Sequence, residues 1–292
     1  MDYVIITTAK DEAEYIRHTL ESVCQQTLKP RQWIIVDDGS TDDTPEIVKE
    51  YLNRYDWITL VERDNAHVER MGGGKVVRAF YSGFEAIATH DYDFIVKLDA
   101  DLSLPRNYFE EVSKAFENDD RIGLAGGYCL EKKGDILIKP KINNWHLRGA
   151  IKAYRKKCFE EIGGLQEIWN WDGMDEMTAM YRGWKIKILP LEVIHHRVTS
   201  SSYNQILHSF QSGKEKYREG DDPVLALIRS LIRFKQKPFF VCGLVFGGGY
   251  LYSLFSKPSK HVDKDLQKFI RRFHYNRIFK AIRVNARHCL KV

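Results

Sequence analysis

Residues 33 to 44 read Trp33-Ile34-Ile35-Val36-Asp37-Asp38-Gly39-Ser40-Thr41-Asp42-Asp43-Thr44, and this stretch decides the fold. A continuous apolar run of this kind is a strand covered on both faces, as in a parallel sheet. It stops on two acids and a glycine. The chain then enters a helix at Asp43-Thr44-Pro45-Glu46, with Asp43 or Thr44 as cap, proline in the first turn and an acid near the helix N-terminus. Upstream, Val4–Thr7 reads as a strand, and the helix after it carries Ile16, Leu20 and Val23 on one face at spacings of four and three. Downstream come a strand at Ile58–Val61, a helix at Lys75–Thr89 and a strand at Phe94-Ile95-Val96 that ends on Lys97-Leu98-Asp99; Pro105 then opens another helix. This alternation predicts an α/β fold, a mostly parallel central sheet with helices on both faces.

Beyond Gly123 the pattern is mixed. It predicts strands near Leu124–Tyr128 and Ile136–Ile138, a helix from about Ala150 to Ile162, another near Met174–Arg182, and a strand at Lys185–Leu189. After Tyr203 the character changes. Pro223–Phe234 is an amphipathic helix with Arg229 and Arg233 on its polar face, and Phe239–Phe255 runs seventeen residues without a charge between Lys237 and Lys257. We therefore expect an α/β domain over residues 1–202 and a helical, basic appendage over 203–292.

Of the 292 residues 29% are charged and 43% apolar, the balance of a folded chain rather than a disordered one. Cys24, Cys129, Cys158, Cys242 and Cys289 are scattered, with no Cys-x-x-Cys pair. That argues against a disulfide framework or a structural zinc site and for a reducing compartment. The N-terminus lacks the basic and apolar segments of a signal peptide, so a cytoplasmic location is expected. The net charge of +5 is uneven: from Lys257 onward eleven Lys/Arg face only Asp263 and Asp265. Such a tail suits an anionic surface, membrane lipid or nucleic acid, with a solvated basic helix as the plain alternative.

Ligands in open α/β folds bind at the carboxyl ends of the strands, and two acidic clusters stand there: Asp37-Asp38 after the second strand and Asp99-Ala100-Asp101 after the fourth. A single acid at such a place is usually a helix cap. Adjacent carboxylates repel unless a cation or donor groups neutralise them, and Asp-x-Asp on a tight turn can aim two carboxylates at one hard cation.

Val4-Ile5-Ile6-Thr7, Tyr15, Ser22-Val23-Cys24-Gln25-Gln26-Thr27 and, above all, Val36-Asp37-Asp38-Gly39-Ser40-Thr41-Asp42-Asp43-Thr44 resemble the inverting family 2 of glycosyltransferases. Lys97-Leu98-Asp99-Ala100-Asp101 is similar to that family's Asp-x-Asp motif, and the resemblance covers about residues 3 to 200. It implies a Rossmann-like GT-A fold, with nucleotide-sugar binding over residues 1–102 and an acceptor half over 103–202. It also implies an enzyme of hexosyltransferase type that moves a sugar from a nucleotide diphosphate, UDP in preference to GDP, to an acceptor hydroxyl. Thr7, Asp37 and Asp38 would meet the nucleoside, and Asp99 and Asp101 would hold Mn²⁺ or Mg²⁺ on the diphosphate. His195, in His195-His196-Arg197, resembles the histidine that completes the metal shell, and imidazole suits Mn²⁺ beside carboxylates. Arg70 and Lys75, in a glycine-rich stretch at a helix start, fit either phosphate contact or a structural turn.

A third acidic cluster, Trp171-Asp172-Gly173-Met174-Asp175-Glu176, lies where family members carry a Glu-Asp pair. Inverting transfer needs a carboxylate to take the acceptor proton. Asp175 is the first choice, with Asp172 and Glu176 as rivals and a capped helix N-terminus as the plain alternative. Trp169 and Trp171 could stack on a sugar, although buried tryptophans more often belong to the core.

The uncharged run is at the lower limit for crossing a bilayer and holds four glycines, so peripheral attachment to the inner membrane is expected rather than a span. Packing of this run on the catalytic domain, or on a second subunit in a homodimer, is the alternative. No Gln-x-x-Arg-Trp motif of processive synthases occurs, which points to single-sugar transfer onto a saccharide or lipid-linked acceptor of cell-surface polysaccharide or glycolipid synthesis. Two rival functions are another nucleotide-binding α/β enzyme, such as a nucleotidyltransferase, and an adaptor bound through the basic tail. Thr8-Ala9-Lys10 replaces the glycines a dinucleotide enzyme requires after the first strand, and acids in a cleft would repel a nucleic acid.

Overall fold

The structure is a computed structural model and describes residues 1–64, 73–133, 136–139, 145–197 and 204–289. The chain divides into two compact units, 1–199 and 200–292.

In the first unit β1 (Tyr3–Ala9), β2 (Gln32–Asp37), β3 (Ile58–Glu62) and β4 (Phe94–Asp99) are parallel, in the order β3-β2-β1-β4. The helices α1 (Ile16–Cys24), α2 (Thr44–Leu52) and α3 (Gly74–Glu85) connect them. Because side chains alternate along a strand, two cores form. Tyr3, Ile5, Trp33, Ile35 and Val96 pack on one face with Ile16, Leu20 and Val48; Val4, Ile6, Ile34, Val36 and Ile95 pack on the other with Val77 and Phe80.

The sheet continues through β5 (Leu102–Ser103), β6 (Ile122–Lys133), β7 (Ile136–Ile138), β8 (Ile151–Arg155) and β9 (Lys185–His195). Between these strands lie α4 (Tyr108–Asn118), α5 (Lys156–Glu161) and α6 (Trp171–Tyr181). β8 is antiparallel to β4 and β6, β5 to β9, and β7 to β6, whereas β6 and β9 are parallel. The sheet is therefore mixed, and the expectation of a mostly parallel one holds only for its first half.

Two sequence-based expectations change here. The helix expected from Ala150 to Ile162 is strand β8 followed by the short α5. Ile151, Lys152, Ala153 and Tyr154 are all buried, because β8 is enclosed between β4 and β6. The strand expected to stop at Leu189, before Pro190, runs on to His195. Between Gly126 and Tyr128 the register of β6 on β9 jumps from Ile188 to Glu192, so Pro190 falls in a bulge where no ladder hydrogen bond is required of it.

The second unit comprises α7 (Gln205–Arg218), α8 (Pro223–Arg233), α9 (Val241–Ser256) and α10 (Lys264–Cys289). Asn204 caps α7, accepting from the amides of Ile206 and Leu207, and Asp222 caps α8 through Leu225 N at 2.9 Å. The start of α10 is fastened to the turn between α7 and α8: Arg271 Nε donates to Gly220 O at 2.6 Å and Tyr275 Oη to Asp222 at 2.8 Å. The uncharged run thus becomes a helix whose one face packs inside its own unit, on α7 and α8. No helix among the described residues is long and apolar enough to cross a membrane.

Glycines set the α7–α9 crossing. A methyl at Gly249 would meet Phe210 O at 2.1 Å, and one at Gly213 would meet Phe246 O at 2.0 Å, whereas one at Gly248 would meet nothing within 4 Å. Gly249→Ala should therefore lower stability by about 1–3 kcal/mol, as overpacking does. Gly248→Ala should raise it by about 0.5–1 kcal/mol through lost backbone entropy of the unfolded chain. Thermal unfolding of the two full-length variants measures both shifts, and shifts of the same sign would refute this account of the crossing.

Candidate active site

The strand register brings the acids together. Ala9 pairs with Asp37 and Thr8 with Asp99, so both clusters lie at one edge of the sheet, on either side of the end of β1. Asp37 is buried and closes the turn after β2 by accepting from Ser40 N at 3.1 Å and from the Ser40 hydroxyl. Gly39 makes that turn with φ at 76°, in the left-handed region. Asp38 is held on its backbone by Ala9 O, which its amide reaches at 2.8 Å, while its partly exposed carboxylate pairs with Arg63. Lys10 Nζ donates to the carbonyls of Asp38 and Gly39 at 3.0 and 2.7 Å. Thr7 differs from its expected role. It is fully buried and its hydroxyl accepts from Trp33 Nε1 at 2.9 Å, so it fixes the core beneath the site and does not face a ligand.

The turn after β4 carries Asp99 and Asp101. Leu102 of β5 pairs with His195 of β9, which delivers the imidazole beside Asp101, with Nε2 at 3.1 Å from Oδ2. One ligand atom from each of Asp99, Asp101 and His195 lies within 4.8 Å of the others. Two carboxylates and an imidazole suit Mn²⁺ or Mg²⁺, with further positions left for oxygen ligands. His196 turns elsewhere, with Nε2 at 2.8 Å from Ser103 Oγ and its ring stacked on His18 at 4.1 Å; burial pushes its pKa down to about 4. Lys97 is buried and binds both the Asp99 carboxylate and Gly149 O. Arg197 lies 3.8 Å from Asp101 and donates to Glu12 at 2.8 Å.

The third cluster separates into two environments. Asp175 and Glu176 are sealed in the interior around the fully buried Lys152. Lys152 Nζ lies 3.0 Å from each acid, Tyr154 Oη donates to Asp175 at 2.5 Å, and Glu176 holds His146 Nδ1 and Leu147 N, both at 2.7 Å. Burial pushes the Asp175 carboxyl upward and the Lys152 ammonium opposes that shift. Neither acid can reach an acceptor, so the first choice of base from sequence, Asp175, is corrected, and Glu176 with it. Asp172, in the first turn of α6, is partly exposed. Its Oδ2 comes within 3.0 Å of where a side chain on Gly149 would begin, beside the carbonyl that shares Lys97 with Asp99.

The tryptophans and glycines are mainly architectural. Trp171 is buried beneath the ammonium groups of Lys97 and Lys152, at 5.4 and 5.8 Å from its ring, so it forms the floor of the site instead of a stacking surface. Trp169 is partly exposed and packs on Gly73, whose side chain, if it had one, would begin 3.3 Å from Trp169 Cα. A side chain on Gly74 would begin 3.1 Å from Glu167 O, so both glycines let α3 approach the 167–169 loop. Lys75 lies partly exposed in the first turn of α3, and Arg70 falls outside the described residues. Arg63 escaped the sequence reading, although it stands immediately after β3 at the same strand edge.

The sequence model of the family described as glycosyl transferase family 2 matches residues 4–182. The chain is 29% identical over 178 residues to the uncharacterized glycosyltransferase MG025 of Mycoplasma genitalium, covering 56% of this chain and 57% of that protein. It is 25% identical over 205 residues to the poly-β-1,6-N-acetyl-D-glucosamine synthase of Staphylococcus aureus, covering 62% and 46% respectively. The chain thus spans about half the length of these curated relatives. Among solved structures, the mannosyltransferase PcManGT of Pyrobaculum calidifontis with GDP-Man and Mn²⁺ aligns at TM-score 0.56 and 18% identity, over 97% of this chain and 82% of its own. S. aureus TarS residues 1–349 with UDP-GlcNAc aligns at TM-score 0.54 and 15% identity, over 88% and 73%. These two share the fold.

The two environments of the acidic cluster predict different responses to neutralisation. Asp175→Asn or Glu176→Gln breaks a buried ionic contact and should cost about 3–5 kcal/mol of stability. Asp172→Asn should leave the unfolding midpoint nearly unchanged. Denaturant titration decides it, and a large loss for Asp172→Asn with none for Asp175→Asn would reverse the assignment.

Proposed function

The chain belongs to glycosyltransferase family 2, and on that premise we propose that it transfers a hexose, with inversion, from a nucleotide diphosphate sugar to an acceptor hydroxyl. The observation that carries this reading is the convergence of Asp99, Asp101 and His195 at the strand edge that also holds Asp37 and Asp38. UDP is the preferred nucleotide: the curated relative at 25% identity is named for an N-acetyl-D-glucosamine polymer, and one fold neighbour holds UDP-GlcNAc. GDP is the alternative, since another neighbour holds GDP-Man with Mn²⁺.

Asp99, Asp101 and His195 would hold a Mn²⁺ or Mg²⁺ ion, whose positive charge would offset the negative charge of the departing diphosphate. The nucleoside lies against Asp38, whose carboxylate Arg63 orients. Lys97 and Arg197 flank the carboxylates and limit their mutual repulsion. Asp172 is the base. As the acceptor oxygen bonds to C1, the bond from C1 to the phosphate oxygen breaks on the opposite face. The nucleotide diphosphate leaves with that electron pair, and the acceptor proton passes to Asp172. The absence of Gln-x-x-Arg-Trp supports a single transfer per encounter, to a saccharide or lipid-linked acceptor of cell-surface polysaccharide or glycolipid synthesis.

Calorimetry with UDP and GDP, each with and without Mn²⁺, tests the donor. Tight Mn²⁺-dependent binding of UDP is expected, and Asp101→Ala should abolish the Mn²⁺-dependent part. Binding that Mn²⁺ leaves unchanged in the native chain would sink the metal assignment. Asp172→Asn should keep donor binding and lose transfer by roughly 10²–10⁴-fold, the usual contribution of a general base. Full transfer activity in that variant would remove Asp172 from the mechanism.

A further inference from the structure

The second unit leaves apolar surface uncovered in a regular pattern. On α8 the exposed residues Val224, Leu227 and Leu231 recur at spacings of three and four, the period of one helix face, and Ile232 adjoins them. On α9 Val241, Leu244, Leu251, Tyr252 and Phe255 form a second stripe, with Leu244 64% and Phe255 79% exposed. The opposite face of α9, with Cys242, Gly243, Phe246, Gly249 and Tyr250, is the one that packs on α7 and α8. Phe239 and Phe240, at 55% and 63% exposed, continue the apolar surface through the turn that joins the two helices. Beside that turn a cleft of about 730 Å³ is lined by Ile206, Pro238 and Phe239 together with Lys237.

The charges on the same segment choose the occupant. From Pro223 to Lys260 there is no Asp or Glu, whereas Arg229, Arg233, Lys235, Lys237, Lys257 and Lys260 are all basic. Lys235, Lys237 and Lys257 are exposed and stand at the ends of the apolar stripes. A second copy meeting this face symmetrically would set cations against cations with no acid to offset them. An anionic lipid surface offers both the apolar layer and the opposite charge. The sixteen residues of α9 extend only roughly 24 Å, short of a bilayer core of about 30 Å, so the helix suits a position within the headgroup boundary.

We propose that α8 and α9 dock the chain on an anionic bilayer, with Val224, Leu227, Leu231, Leu244 and Phe255 in the acyl boundary and Lys235, Lys237 and Lys257 at the headgroups. This keeps the membrane contact expected of the uncharged run and leaves out the basic tail, whose helix α10 is tied at its start to the 220–222 turn. The contact stands apart from the transfer reaction, since none of its residues belongs to the donor site.

Flotation of the full chain on vesicles of phosphatidylcholine, with and without phosphatidylglycerol, tests the proposal. Binding to the phosphatidylglycerol vesicles is expected, weakening with salt. Leu244→Asp with Phe255→Asp should abolish it, and Lys235→Gln with Lys237→Gln and Lys257→Gln should weaken it on the order of a hundredfold. These positions are exposed, so unchanged unfolding midpoints and unchanged UDP binding should accompany the loss. Arg272→Glu with Lys280→Glu, on exposed sites of α10, should bind within a few fold of the native chain. The proposal is overturned if the native chain ignores phosphatidylglycerol vesicles, if the α9 variant floats like the native chain, or if only the α10 variant loses binding. Sedimentation as a dimer that Leu244→Asp with Phe255→Asp dissociates, without vesicle binding, would assign the face to a second copy and equally overturn it.

Discussion

A fully buried ammonium group organises the first unit. Lys152 points from the enclosed strand β8 into the interior, where an unpaired charge would be prohibitively expensive. Asp175 and Glu176 meet that requirement from α6, and Tyr154, His146 and Leu147 satisfy their remaining oxygens. The ammonium also binds the carbonyl of Asp172, and its charge, like that of Lys97, stands over the Trp171 ring. The first turns of α6 are thereby pinned to the sheet. Asp172 sits beside Gly149, and Gly149 O shares Lys97 with Asp99. The proposed base is thus placed relative to the proposed metal ligands through buried charge.

The same requirement explains what the sequence could and could not disclose. Trp33–Val36 and Phe94–Val96 were legible as strands because continuous apolar runs leave few other arrangements. Their terminal acids were legible as a candidate site because strand ends collect ligands. β8 was not legible: Lys152 breaks the apolar run, and Ala150–Ile162 carries a pattern compatible with a helix until its lysine is known to be buried. Without that lysine the neutralising role of Asp175 and Glu176 has no partner in the sequence, so this adjacent acid pair drew the role that we propose for Asp172. Thr7 shows the converse. A polar residue at a strand end invites a binding role, and only the indole of Trp33 beneath it reveals a buried one.

The second unit follows a different rule. Its glycines look like weaknesses in a membrane helix, and in the sequence they argued only against a span. In the structure Gly213 and Gly249 let two helix backbones approach closely, and one face of α9 is consumed by that contact. The apolar character that remains is confined to the outer stripe, where a continuous hydrophobic run is indistinguishable by composition from a core helix. Only the division of its residues between the two faces separates the alternatives.

His195 reaches Asp101 from 94 residues further along the chain, through the pairing of β5 with β9. This fixes an order of events during synthesis. When Asp99 and Asp101 leave the ribosome, the short strand after them has no strand to pair with, because β9 is its neighbour in the sheet, and the proposed third donor has not been made. A nascent chain ending anywhere before β9 therefore carries two adjacent carboxylates with no imidazole between them and solvent. The proposed coordination set becomes complete only when the last strand inserts between β6 and β5, so its completion coincides with the attachment of β5 to the sheet.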